Sequence, residues 1–151
     1  RVMKKKNIVI IVVVIIIGLV VVACVTHKHR KDHYIETQEK RIDLYFKYNL
    51  NNYHGLKITK FQKGPMGSYS AKGYINNNKK YDFQAFIGLG DDDKNQFNGD
   101  FEYNQEKIGE LLKEKDAKDQ LTVDEIIEKE HLHKSEYEAE PPLFFFSGRL
   151  E

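Results

Sequence analysis

An unbroken apolar run of sixteen residues, Ile8 to Ala23, follows Lys4, Lys5 and Lys6 and ends against the only cysteine of the chain, Cys24. No globular core absorbs such a run beside an N-terminal lysine cluster, so it reads as a segment made for a membrane. A transmembrane span needs about 20 apolar residues and the hydrophobic region of a signal peptide about 7 to 15, and this run falls between the two. The flanks do not separate the readings, because Lys28, Arg30 and Lys31 balance the first lysines and blunt the positive-inside bias.

The cysteine separates them. Val21-Val22-Ala23-Cys24 resembles the lipobox of bacterial lipoproteins: branched apolar residues, a small residue before the cut and a thiol after it. A diacylglyceryl group on the Cys24 sulfur, with cleavage before it, would leave the chain lipid-anchored on the extracellular face of the cell membrane. A single thiol also excludes an internal disulfide framework. The expected organisation is therefore a signal peptide over 1–23, a lipidated cysteine with a basic tether over 24–32 and one domain over 33–146. Residues 1–2 and 147–151 read as cloning-derived flanks.

Over 24–146 the chain carries 19 basic and 22 acidic residues, but the charges are segregated. Residues 34–80 have a net charge of +6, and residues 91–140 a net charge of −10. A dipolar domain with one strongly acidic side suits steering toward a basic partner. Nucleic acid is not expected, because its binders carry a net basic surface rich in arginine and only Arg41 lies within the fold.

The periodicities predict an α+β fold. Ile35, Ile42, Tyr45, Phe46 and Asn49 mark one face of a helix over 34–50. Strands follow at 56–63, where Phe61 breaks parity and implies a bulge near Thr59 and Lys60, then at 69–75, 81–89 and 97–103. Turn signals at Gly64-Pro65-Met66-Gly67 and Asn76-Asn77-Asn78 join them into a four-stranded antiparallel meander, with a cystatin-like helix-on-sheet arrangement as one possible topology. Short helices come next, over 107–115 and after Thr122, where Thr122 and Glu125 form a capping box and Leu121 and Ile126 a hydrophobic staple. The tail cannot be helix through Pro141-Pro142, so an extended apolar strap is expected, with Leu143 to Phe145 filling a groove.

Chemistry-bearing patterns are sparse. Asp91, Asp93, Asn95 and Glu102 have the spacing of an EF-hand loop, yet position 6 is Gln96 where the bend needs glycine, and the flanks alternate as strands. His27, His29 and His33 are closely spaced but sit in the tether, without preorganised geometry. His54, His131 and His133 read as surface or packing residues. None of the four serines lies in a Gly-x-Ser-x-Gly elbow. No catalytic residue, cofactor or metal site is expected; the chain reads as a binder and not an enzyme, with Asp91, Asp92 and Asp93 as candidate partner contacts.

The motifs Gln38-Glu39-Lys40-Arg41-Ile42-x-x-Tyr45-Phe46-Lys47-Tyr48-Asn49, Gly73-Tyr74-Ile75-Asn76-Asn77-Asn78, Gly99-Asp100 and the tail Tyr137-Glu138-Ala139-Glu140-Pro141-Pro142-Leu143-Phe144-Phe145 resemble domain of unknown function family 1433. These are small lipoproteins of staphylococci, Listeria and related Gram-positive bacteria. The resemblance implies a surface lipoprotein, with no catalytic residues to carry over. It also implies a setting near genes for secreted toxins, type VII secreted lipases among them, where the partner would be a toxin and the role immunity. The alternative expectation is an envelope-associated lipoprotein holding a small ligand or a cell-wall component between helix and sheet.

Overall fold

The computed structural model describes residues 2–88, 95–144 and 148–149. Its first element is a single helix, α1 (Lys5–Asn49), of 45 residues. The segment 24–32, expected as a polar tether, is part of this helix. It contains neither glycine nor proline, so nothing interrupts propagation of the hydrogen-bond ladder from the apolar run into the domain. Burial begins ten residues after Cys24. Tyr34, Ile35, Ile42, Tyr45 and Phe46 face the core, and Asn49 is buried at the end.

Four strands cover this face of α1: β1 (Leu56–Lys63), β2 (Tyr69–Ile75), β3 (Asp82–Ile87) and β4 (Phe101–Tyr103). They form the expected antiparallel meander, and the register of β1 on β2 slips between Ile58 and Lys60, at the anticipated bulge. Alternation sends Ile58, Phe61, Ala71, Ile75, Phe83, Ala85 and Ile87 into the core. Phe46 is the hub of the aromatic packing, with its ring edge-on to Phe83 at 4.9 Å and to Phe101 at 5.3 Å. At the other end Tyr34 packs against Tyr69 at 5.2 Å and Phe61 at 5.9 Å. Because Tyr53 donates a hydrogen bond to Asp43 while Phe61 reaches Tyr34, β1 runs antiparallel to α1, back toward the apolar segment.

Several expectations are corrected. The last strand forms only over Phe101–Tyr103, because Phe97 spends its backbone elsewhere: its N–H donates to Gln38 Oε1 at 2.7 Å and its carbonyl accepts from Arg41 Nε at 2.6 Å. Gly99, at φ +127°, lets the chain pass beneath the Tyr45 ring, 3.1 Å from where a Cβ would stand. The helix expected over 107–115 shrinks to α2 (Ile108–Leu111), since Leu112 leaves it to bridge Leu50. By contrast α3 (Val123–Lys129) starts with the capping box as read: Glu125 N–H donates to Thr122 Oγ1 and Thr122 N–H to the Glu125 carboxylate.

The strap is extended, but its anchor is not where the sequence put it. Ala139 and Pro142 are buried, whereas Leu143 and Phe144 stand in solvent, 81% and 68% exposed; Phe145 lies outside the described residues. Gly148–Arg149, read as cloning-derived, forms a short strand β5 that pairs antiparallel with Lys60 and Phe61 and adds a fifth member to the sheet, in the order β4-β3-β2-β1-β5.

Candidate functional site

The N-terminal part of α1 is bare. Every residue from Ile8 to Val25 is exposed, with a mean hydropathy of 3.8 in its most apolar window, long and apolar enough to cross a membrane and suited equally to a signal peptide. Cys24 sits exposed and free at its end, followed by the exposed Lys28 and Arg30.

A second face of α1 is polar and buried, and it holds the C-terminal third of the chain. Gln38, Arg41, Tyr45 and Asn49 recur at helical spacing and so line one stripe. Arg41, 1% exposed, donates from Nε to the Phe97 carbonyl, from Nη1 to the Tyr137 carbonyl at 3.0 Å and from Nη2 to Asp124 Oδ1 at 2.9 Å. Gln38 Nε2 donates to Gln96 Oε1 at 2.7 Å, and Gln96 Nε2 passes the chain on to the Ala139 carbonyl at 2.7 Å. Asn49 clamps Leu121 through both its amide groups, donating to the carbonyl at 2.9 Å and accepting from the N–H at 3.0 Å. Tyr45 reaches Gln120 Oε1 at 2.6 Å, its hydroxyl pKa raised by burial and then by the neighbouring Tyr103. Among the described residues no buried side-chain polar atom lacks a partner. Arg41, the one arginine that the sequence places within the fold, is thus an internal tie. The spacing of Gln38, Arg41, Tyr45 and Asn49 is the signal that would have identified this polar stripe.

This arrangement segregates charge in space. The sheet face turned away from α1 carries Lys57 and Lys72 in solvent. Along the Gln38–Asn49 stripe of α1, the layer built from α2, α3 and their connections exposes Glu110, Glu114, Asp119, Glu125, Glu128 and Glu130, with Lys113, Lys115, Lys118 and Lys129 among them, and over 104–130 its net charge is −4. Loop 113–120 sits at the C-terminal end of α1, because Lys113 N–H donates to the Asn49 carbonyl and Leu121 is held by the same residue. Asn49 is twenty-five residues beyond Cys24, a rise of about 37 Å along the helix. Asp91, Asp92 and Asp93 lie outside the described residues. Their loop returns to the described chain at Asn95, whose carbonyl accepts from the Tyr34 hydroxyl at 2.7 Å.

A cleft of about 590 Å³ opens between α1 and Glu136, lined by Glu36, Glu39, Lys40, Asp43 and Leu56. Burial, then Asp43 and Glu36, raise the pKa of Glu39. Lys40 partly answers this charge, 3.6 Å from Glu136 and over the Tyr137 ring at 4.3 Å. The cleft gathers carboxylates, and the Thr37 hydroxyl that also lines it donates to the His33 carbonyl at 2.8 Å; among the described residues no three His, Cys, Asp or Glu side chains converge on a point that would hold a metal.

Residues 34–129 match the family described as "Protein of unknown function (DUF1433)". The chain belongs to this family. The DUF1433 match starts at Tyr34, where burial of α1 begins, and ends at Lys129, the last residue of α3. A similar solved structure is the solution NMR structure of the folded 79-residue fragment of Lin0334 from Listeria innocua, with 26% identity, a TM-score of 0.49, and coverage of 66% of this chain and 98% of that one. No curated protein matches the chain.

Proposed function

We propose that this DUF1433 protein is a non-enzymatic binding module, lipid-anchored through Cys24 on the extracellular face of the cell membrane, that captures a secreted protein and neutralises it, as an immunity protein does a toxin such as a type VII secreted lipase. The observation that carries this reading is the placement of the acidic layer. The layer over 104–130, with nine acidic residues against five lysines, is held on the C-terminal half of α1 by Arg41 and Asn49, away from Cys24. A rigid helix thus presents negative charge away from a membrane surface, where a diffusing partner meets it first.

Electrostatics of this kind acts on association. Complementary charge raises association rates by about ten- to a thousand-fold and loses that advantage as salt rises. Asp91, Asp92 and Asp93, whose loop rejoins the described chain beside Tyr34, would serve as a separate acidic contact nearer the anchor. The polar ties of α1 serve this function by holding the layer in one shape, since preorganised surfaces lose less entropy on binding.

The test is a pull-down from the secreted proteins of the same bacterium, with the lipid-free domain as bait and the Glu110→Lys, Glu114→Lys, Asp119→Lys triple variant beside it. Retention of a secreted protein by the first and its loss by the second is expected. Equal retention by both would contradict the acidic contact, and turnover of a substrate by the purified domain would contradict the binding role.

A further inference from the structure

We propose that the domain also rests on the bilayer, through an apolar foot formed by Leu143 and Phe144 beside α1, a contact that builds on the membrane-anchored reading above. Outside the N-terminal apolar segment and its immediate flanks, the large hydrophobic side chains left exposed among the described residues are Met66, Leu143 and Phe144. Their position is what they share. The Phe144 carbonyl accepts a 2.5 Å hydrogen bond from Nε2 of His27, which fixes that ring nitrogen as the protonated one. His27 is three residues past Cys24, a rise of about 4.5 Å, so Phe144 lies within one helical turn of the level at which the apolar segment ends.

Met66 belongs to the same end of the molecule. Since β1 descends along α1 to Phe61, packed on Tyr34, the turn Pro65–Gly67 that follows lies on the side of Tyr34 nearer the apolar segment, with Met66 fully exposed. Lys28 and Arg30 stand exposed on α1 at this level. Apolar side chains next to basic ones are the pattern that sinks into the boundary between headgroups and acyl chains of an anionic bilayer. Nearness to Cys24 selects this occupant over a soluble partner: a protein bound to Leu143 and Phe144 would have to fit between the domain and the membrane that holds the lipid on Cys24. Seated in this way, the domain cannot swing about its anchor, and the acidic layer held at Arg41 and Asn49 points away from the surface.

The chain has no tryptophan, so one introduced residue is a clean reporter. The chain lipidated on Cys24 and carrying Phe144→Trp is reconstituted in vesicles of phosphatidylcholine and phosphatidylglycerol with brominated acyl chains, beside Val25→Trp next to the anchor and Tyr74→Trp on the outer sheet face. The proposal expects Phe144→Trp to shift to the blue and lose most of its emission to the bromines, as Val25→Trp does, while Tyr74→Trp keeps its emission. If Val25→Trp is quenched and Phe144→Trp is not, the foot is wrong and the anchor stands. If neither is quenched, the membrane reading fails and the foot fails with it.

Discussion

Nη2 of Arg41 lies 2.9 Å from Oδ1 of Asp124, joining a fully buried cation on α1 to a half-buried carboxylate in the first turn of α3. The other guanidinium nitrogens hold the carbonyls of Phe97 and Tyr137, so one side chain fastens three separate segments to the helix. Its geometry adds a polar tie to the apolar anchors of the same layer, Ile108, Leu112, Val123, Ile126 and Ile127, all of them buried.

Removing one partner of such a pair strands the other. Arg41→Ala should cost about 3–5 kcal/mol, because the carbonyls of Phe97 and Tyr137 and the half-buried Asp124 all lose their donor and the buried stem leaves a gap. Asp124→Asn, which keeps the shape and leaves Arg41 two carbonyl partners, should cost about 1–3 kcal/mol. Urea denaturation of both variants measures this, and equal, small losses would show that the tie is dispensable.

The sheet has a comparable weak point at Gly73. A Cβ there would stand 2.2 Å from the Lys57 carbonyl, at the place where β1 slips register against β2. Gly73→Ala should destabilise the fold by about 1–3 kcal/mol or more, as overpacking does. A wild-type midpoint in the same denaturation experiment would mean that the bulge absorbs the methyl group.

Glu39 gives the cleft a pH signature. Burial, Asp43 and Glu36 raise its pKa in the folded state, so the native chain holds a proton that the unfolded chain releases. The stability this proton contributes is complete below the ordinary glutamate pKa and is lost as pH rises through the raised, folded value. Glu39→Gln removes the titration, and its melting temperature should fall less than that of the wild type across this window. Parallel profiles for the two proteins would place the charge elsewhere.

Much of this fold is legible in the sequence. The helix stripe from Ile35 to Asn49, the bulge after Ile58 and the box at Thr122 and Glu125 are local patterns, each fixed by residues near one another in the chain. What is not legible depends on distant partners. Phe97 alternates correctly for a strand, yet Gln38 and Arg41, more than fifty residues earlier, take its backbone groups. Leu143 and Phe144 look like core by composition, but Ala139 and Pro142 are what the domain buries. The functional surface is harder still. Segregation of charge along the chain predicts two faces, and only the fold shows that Lys57 and Lys72 stand on the outer sheet face while the acidic layer is held on the Gln38–Asn49 stripe of α1.

Lipid attachment makes a direct prediction. Grown with an alkyne fatty acid, the bacterium should label the wild-type chain, and Cys24→Ala should carry no label and stay unprocessed. A labelled, normally processed Cys24→Ala chain would remove the thiol from the account.

The central claim, capture of a secreted protein by a charged surface, is tested most directly by the association rate of the retained partner as a function of ionic strength. The rate should fall steeply with salt for the wild type, by about tenfold or more, and should be slow and nearly salt-independent for the Glu110→Lys, Glu114→Lys, Asp119→Lys variant. An association rate that responds neither to salt nor to these reversals would contradict it.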